Sequence, residues 1–196
     1  MNVDKAGRER AGETVQDASG GTRMTWSIVI ERGNLGFSAA HFITYEGRCE
    51  PLHGHNYGVR VEAAGNLTPD SLVVDFIAFK NVVRDLCKTW DHRFLLPLES
   101  PHLRVAEREG SWEITFDAAT RYVLPATSVV ALPIDNATTE RLAELLARRI
   151  VEALRARNMT GTLSRLTVGV EETEMQTAFY TLDLAADEQS GQPGAT

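Results

Sequence analysis

Three of the five histidines in this 196-residue chain fall in two short motifs: His41 closes FSAAH, and His53 and His55 flank Gly54 in HGH. Side chains alternate along an extended strand, so the two imidazoles of an H-x-H pair share one face. The intervening Gly54 leaves the other face unencumbered. With His41 on an adjacent strand, three ring nitrogens converge and a fourth position stays open for water or substrate, the arrangement of a catalytic rather than a structural zinc. The bland alternative is a set of ordinary surface or turn histidines.

Around these histidines stand other reactive types. Cys49 precedes His53 in RCEPLHGH with three residues between them. Its thiol can serve as a fourth metal ligand, or as a thiolate favoured by a nearby cation and ready to move protons or attack. Asp91-His92 is either a base with its tautomer fixed by a carboxylate or a plain helix C-terminal cap. In VEET, Glu171 and Glu172 are consecutive on a predicted strand, so one of them faces inward. An inward carboxylate needs donors; a ligand with N–H groups, such as the amino-pyrimidinone edge of a pterin, supplies them, as does an arginine on a helix.

The elements that must position these groups are legible from periodicity. TWSIVIER alternates at Trp26, Ile28 and Ile30, and GFSAAHF continues or pairs with it beyond Gly33-Asn34. HNYGVRVEAAG reads as a second strand, ended by Gly65-Asn66 and the Thr68-Pro69-Asp70 turn. Phe76, Phe79, Val83, Leu86 and Trp90 have helical spacing behind Asp75 as N-cap. Leu142, Leu145, Leu146, Ile150 and Leu154 mark one face of a second helix in TTERLAELLARRIVEALRAR. LSRLTVGVEE and QTAFYTLDL close the chain as strands, and short β segments (LRVAE, SWEITF, RYVLP, SVVALP) fill a β-rich insert over about 102–133. The order predicts an α+β fold with helices on one face of antiparallel strands.

Composition sets the class. Hydrophobic residues are 43% and charged residues 24%, ordinary for a globular domain, and the net charge of -7 argues against a nucleic-acid surface. No apolar run reaches the roughly 18 residues of a membrane span. Residues 1–23 are polar and aperiodic, with no signal-peptide core, and read as a flexible leader; 185–196 read as a disordered tail. Two cysteines suggest no disulfide framework, which makes a reducing cytoplasm the expected compartment.

In order along the chain, FSAAH, C-x-x-x-HGHNY, VVDF-x-x-x-K, WDH, ATTE and VEET resemble the 6-pyruvoyl-tetrahydropterin synthase and 6-carboxytetrahydropterin synthase family, over about 24–184 apart from the insert. The resemblance implies a tunnelling fold, a four-stranded antiparallel sheet with two helices on one face, assembled as a β-barrel trimer or a hexamer with sites between subunits. It implies Zn2+ on His41, His53 and His55, and proton transfer by Cys49, Asp91 and His92. It implies a pterin ring held by Glu172, with Thr138 and Thr139 lining the pocket. The expected substrate is dihydroneopterin triphosphate. The three-residue spacing between Cys49 and HGH resembles the queuosine-pathway carboxytetrahydropterin synthases, which release triphosphate and acetaldehyde; the biopterin-pathway enzymes, which make the pyruvoyl product, typically have five. The remaining alternatives are that pyruvoyl product, a plain zinc hydrolase, and a non-catalytic zinc- and pterin-binding oligomeric module. Two departures stand out: the insert, absent from compact members, and Glu50, whose charge is expected to raise the Cys49 pKa.

Overall fold

The structure, a computed structural model, describes residues 14–16, 22–24, 26–118 and 120–184. Most of the expected leader and the whole expected tail lie outside the described residues. Within the leader, β1 (Thr14–Gln16) pairs antiparallel with β2 (Thr22–Met24).

Two long strands, β3 (Trp26–His41) and β6 (His53–Gly65), form the centre of the fold. Between them a small hairpin of β4 (Thr44–Tyr45) and β5 (Arg48–Cys49) turns through Glu46 and Gly47, both at positive φ. Gly33-Asn34 makes no hairpin. The strand runs on through an irregularity, where Glu31 to Gly36 on β3 oppose only Arg60 to Gly58 on β6. That shift lets one strand serve both the core and the histidine cluster.

After β6 comes α1 (Phe76–Trp90), capped by the Asp75 carboxylate, which accepts from the Ala78 N–H at 2.7 Å. Its buried residues are Phe79, Val82, Val83, Cys87 and Trp90, whereas Phe76, expected on the buried stripe, is half exposed in the first turn. The second helix, α2 (Thr139–Arg155), buries Leu142, Leu146, Ile150 and Leu154 and leaves Leu145 half-buried. Both pack on one face of the sheet, against Phe37, Tyr57, Val59, Val61, Leu166 and Val168. The closing strands are β12 (Leu163–Thr173) and β13 (Gln176–Asp183).

The four expected antiparallel strands are therefore present in the order β3-β6-β12-β13. Two short strands extend the sheet at the β3 edge: β7 (Arg93–Pro97) and, from the end of the insert, β11 (Val129–Leu132), each paired in parallel with its neighbour. The rest of the insert is an antiparallel meander of β8 (Leu103–Arg108), β9 (Ser111–Phe116) and β10 (Thr120–Pro125). It builds its own core, in which Ile114 and Val129 meet Phe42, Phe94 and Leu96, with Cys49, Trp112, Tyr122 and Leu124 packed against them. No helix among the described residues is long and apolar enough to cross a membrane.

Candidate metal centre and substrate site

Alternation along β3 and β6 sends Ala39 and His41, with His53, His55 and Tyr57, to the helix-bearing face, while Ser38, Ala40, Gly54 and Asn56 face the other way. His41 and His53 are direct cross-strand partners and His55 is the next same-face residue on β6. Gly54 is required by close approach: a Cβ there would meet the Ala39 carbonyl oxygen at 3.0 Å.

One ligand atom from each of the three histidines lies within 4.8 Å of the others. The Nε2 atoms of His41 and His53 are 3.1 Å apart. Two nitrogens bound to one tetrahedral zinc at about 2.0–2.1 Å stand roughly 3.3 Å apart, so the spacing suits a shared ion. The far side of each ring is also fixed. His41 Nδ1 lies 2.9 Å from the Ala137 carbonyl oxygen and His53 Nδ1 lies 2.8 Å from that of Pro51. Donation from Nδ1 leaves Nε2 with its lone pair free, the tautomer a metal requires. Burial, the dominant influence, pushes the His41 pKa down and favours the neutral ring. These residues therefore fit a metal ion.

Glu172 is the inward member of the VEET pair. Its Oε1 lies 3.2 Å from His41 Nε2 and 3.6 Å from His55 Nε2, and it accepts from the Tyr57 hydroxyl at 3.4 Å. Burial, reinforced by the Glu172 charge, raises the Tyr57 pKa and keeps the phenol a donor. Glu171 points to the opposite face, where its Oε1 accepts from the Met175 N–H. A cavity of about 490 Å³ next to Glu172 is lined by Ile43, Thr138, Thr139, Gln176 and Thr177. Thr138 doubles as N-cap of α2, its hydroxyl oxygen accepting from the Arg141 N–H.

Cys49 is half-buried and stands outside the three-histidine group, its thiol donating to the Glu50 carbonyl oxygen at 3.5 Å. Burial first, and the Glu50 carboxylate second, push its pKa up, in the direction expected from Glu50. Cys87 is the packed hydrophobe of α1, its thiol pushed up to about 12 by burial.

Asp91 both caps α1 and pairs with the ring of His92. Asp91 is the C-cap of α1; its Oδ1 accepts from the Ser38 N–H at 2.8 Å and its Oδ2 from His92 Nδ1 at 2.9 Å. The Ser38 hydrogen bond is the largest of the influences that lower its pKa. His92 follows in the left-handed region, φ 57°, held by donation from its N–H to the Ser38 carbonyl. Its ring is 81% exposed. It borders a cavity of about 510 Å³ with Ser38, Gly54, His55, Asn56, Arg93 and Leu124. Within one chain, then, His41, His53, His55 and Glu172 converge, Thr138 and Thr139 lie beside Glu172, and His92 stands on the reverse face of the sheet.

A family model for 6-pyruvoyl tetrahydropterin synthase matches residues 32–183. The chain belongs to that family. The 6-carboxy-5,6,7,8-tetrahydropterin synthase of Bacillus subtilis is 36% identical over 107 residues, 53% of this chain and 61% of that one. A Methanocaldococcus jannaschii protein provisionally given the same name is 32% identical over 122 residues, 62% of this chain and 74% of that protein. Among solved structures, the 6-pyruvoyltetrahydropterin synthase of Plasmodium vivax superposes with a TM-score of 0.78 at 31% identity, covering 83% of this chain and all of that one. That enzyme has also been solved with a glutamate, described as a catalytic residue, replaced by alanine or cysteine.

Sequence reasoning assigned no role to Tyr57, although it follows His55 by two residues and so shares its face. The carbonyls of Pro51 and Ala137 leave no trace in residue type.

Proposed function

We propose that this chain is a zinc-dependent lyase that converts dihydroneopterin triphosphate and one water to 6-carboxytetrahydropterin, releasing triphosphate and acetaldehyde. The observation carrying the reading is the Nε2-inward triad of His41, His53 and His55 with the Glu172 carboxylate at its edge. A metal there fits a substrate with vicinal hydroxyls, and a carboxylate beside it fits the N–H edge of a pterin. The three-residue spacing from Cys49 to HGH, and relatives named for the carboxy product, favour that product over the pyruvoyl one.

Zinc, when bound, would supply Lewis acidity toward the side-chain hydroxyls of the substrate. The protein's own groups do the rest. Glu172, held by Tyr57, accepts hydrogen bonds from the pterin ring, and Thr138 and Thr139 line its cavity. Cys49 exchanges a proton at Sγ. His92, with Nδ1 tied to Asp91, exchanges one at Nε2. Because His92 is exposed on the reverse face, we assign it to the site of a neighbouring copy in a trimer or hexamer.

A second reading concerns the base alone. Since a glutamate is a catalytic residue in the Plasmodium vivax enzyme, Glu50 beside Cys49 is an alternative proton acceptor. Incubation of zinc-loaded protein with dihydroneopterin triphosphate, with products resolved by mass spectrometry, tests the main proposal; absence of both carboxy- and pyruvoyl-pterin defeats it. Cys49→Ala against Glu50→Gln then identifies the base.

A further inference from the structure

The β4–β5 hairpin carrying Cys49 pairs within itself at Thr44↔Cys49 and Tyr45↔Arg48, and is extended by one bond from the Glu50 N–H to the Ile43 carbonyl at 3.0 Å. Two pairs give little stability of their own, yet a proton-transfer group has to be held to within a fraction of an ångström. Something else must hold it. Beneath lies the apolar core of the insert, which fixes depth but not register, because apolar contact is non-directional.

Directional contacts from outside the hairpin come from Asn136, in the loop before α2. Its Nδ2 donates to the Thr44 carbonyl at 2.8 Å, and its Oδ1 accepts from the Thr44 N–H at 3.2 Å. The side-chain amide thus pairs with the Thr44 backbone as a neighbouring strand would. The same Oδ1 accepts from the Ala137 N–H at 3.1 Å. The carbonyl of Ala137 in turn faces His41 Nδ1 at 2.9 Å. One amide therefore links the residue across from Cys49 to the residue that orients a metal-binding histidine, over 92 positions of sequence. Thr44 is 6% exposed, so water does not readily replace these bonds.

We propose that Asn136 is a positioning residue that sets the place of the Cys49 thiol relative to the three histidines. The inference rests on the functional reading above for its catalytic consequence, though not for its structural one. Asn136→Asp keeps the shape but turns the donor facing the Thr44 carbonyl into an acceptor; Asn136→Ala removes both bonds without adding charge.

The test uses the full chain, with cobalt(II) as the probe of the metal site, iodoacetamide alkylation of Cys49 in metal-free protein, and steady-state turnover of dihydroneopterin triphosphate. Both variants should retain the cobalt absorption band and alkylate Cys49 severalfold faster. They should lose at least about tenfold in kcat with KM within about threefold of the parent, because misplacement costs rate more than binding. Wild-type alkylation and kcat in both variants would overturn the proposal. So would losses that track missing cobalt or missing folded protein, which mark a merely structural residue. If the parent itself forms no pterin product, the functional reading fails while the alkylation rates still decide the positioning.

Discussion

His41 and His53 face each other across two antiparallel strands with their Nε2 atoms 3.1 Å apart, and each turns its Nδ1 to a backbone carbonyl. The backbone thereby orients two of the three imidazoles as a shared metal ion would require. The expected outcome is that stoichiometric zinc raises the melting temperature and cobalt(II) gives the intense visible bands of a tetrahedral site. His53→Ala should abolish both effects and leave the far-ultraviolet circular dichroism unchanged. Cobalt bands of octahedral weakness would contradict the open tetrahedral centre.

Tyr57→Phe tests how the carboxylate is held, the phenol oxygen lying 3.2 Å from His41 Nδ1 as well. The phenol is 2% exposed and donates to Glu172 Oε1. Losing one such bond to a charged acceptor costs about 1.5–3 kcal/mol. The expected effect is a rise in KM of about tenfold or more, with metal still bound because the Ala137 carbonyl continues to hold His41 Nδ1. An unchanged KM would show that Glu172 is held without the tyrosine.

The β insert is more than a surface addition, because its core reaches the reactive hairpin. Ile114 is 1% exposed and packs in the cluster that Cys49 joins. Ile114→Ala is expected to cost about 2–5 kcal/mol by the loss of burial and the cavity left behind. Urea unfolding gives that figure directly. If Cys49 alkylation in the folded variant matches the parent, the insert does not support the hairpin.

Much of this molecule is legible in its sequence, and the reasons are physical. Helices α1 and α2, β6 and the closing strands declare themselves through repeating apolar positions, and Asp75 is a cap by residue type as well as by geometry, whereas the capping role of Thr138 emerges only from the structure. Phe94-Leu95-Leu96 is too short to declare a period, so β7 and its parallel pairing are invisible until Asp91 and His92 are seen fastened to Ser38. The three histidines suggest a metal, but the Ala137 and Pro51 carbonyls that orient His41 and His53 carry no residue signature. Asn136, far along the chain from Thr44, reads as a loop residue until the fold brings the two together.

The pH dependence of the thiol follows from its surroundings. Burial and then the Glu50 charge raise the Cys49 pKa, so the thiolate becomes abundant only at pH above the ordinary thiol range. In metal-free protein, alkylation should climb at a more alkaline pH than for free cysteine. Glu50→Gln should move the profile part of the way back to lower pH, and only part, since burial is the larger cause. Cys87, 1% exposed with a pKa of about 12, contributes a separate slow phase. An unmoved or upward-shifted profile in Glu50→Gln would remove the carboxylate from the account.

The exposure of His92 leads to a sharper test of where the site is completed. The ring is 81% open to solvent and borders a cavity walled mainly by reverse-face residues, with His55 of the triad also in its lining. If a neighbouring copy supplies His92 to the site that uses Cys49, Cys49→Ala and His92→Ala protomers are each inactive alone but complement each other. In a cyclic oligomer reassembled from equal amounts of the two, each interface receives an intact Cys49 from one side and an intact His92 from the other with a chance of about one quarter. Turnover of dihydroneopterin triphosphate should therefore return to about a quarter of the parent rate. A site completed within one chain can never hold both residues intact in such a mixture, so its turnover stays at the level of the separate variants. Native mass spectrometry, which separates oligomers by their content of the two variants, verifies that subunits have exchanged, and a null rate from exchanged oligomers would place His92 outside the neighbouring site.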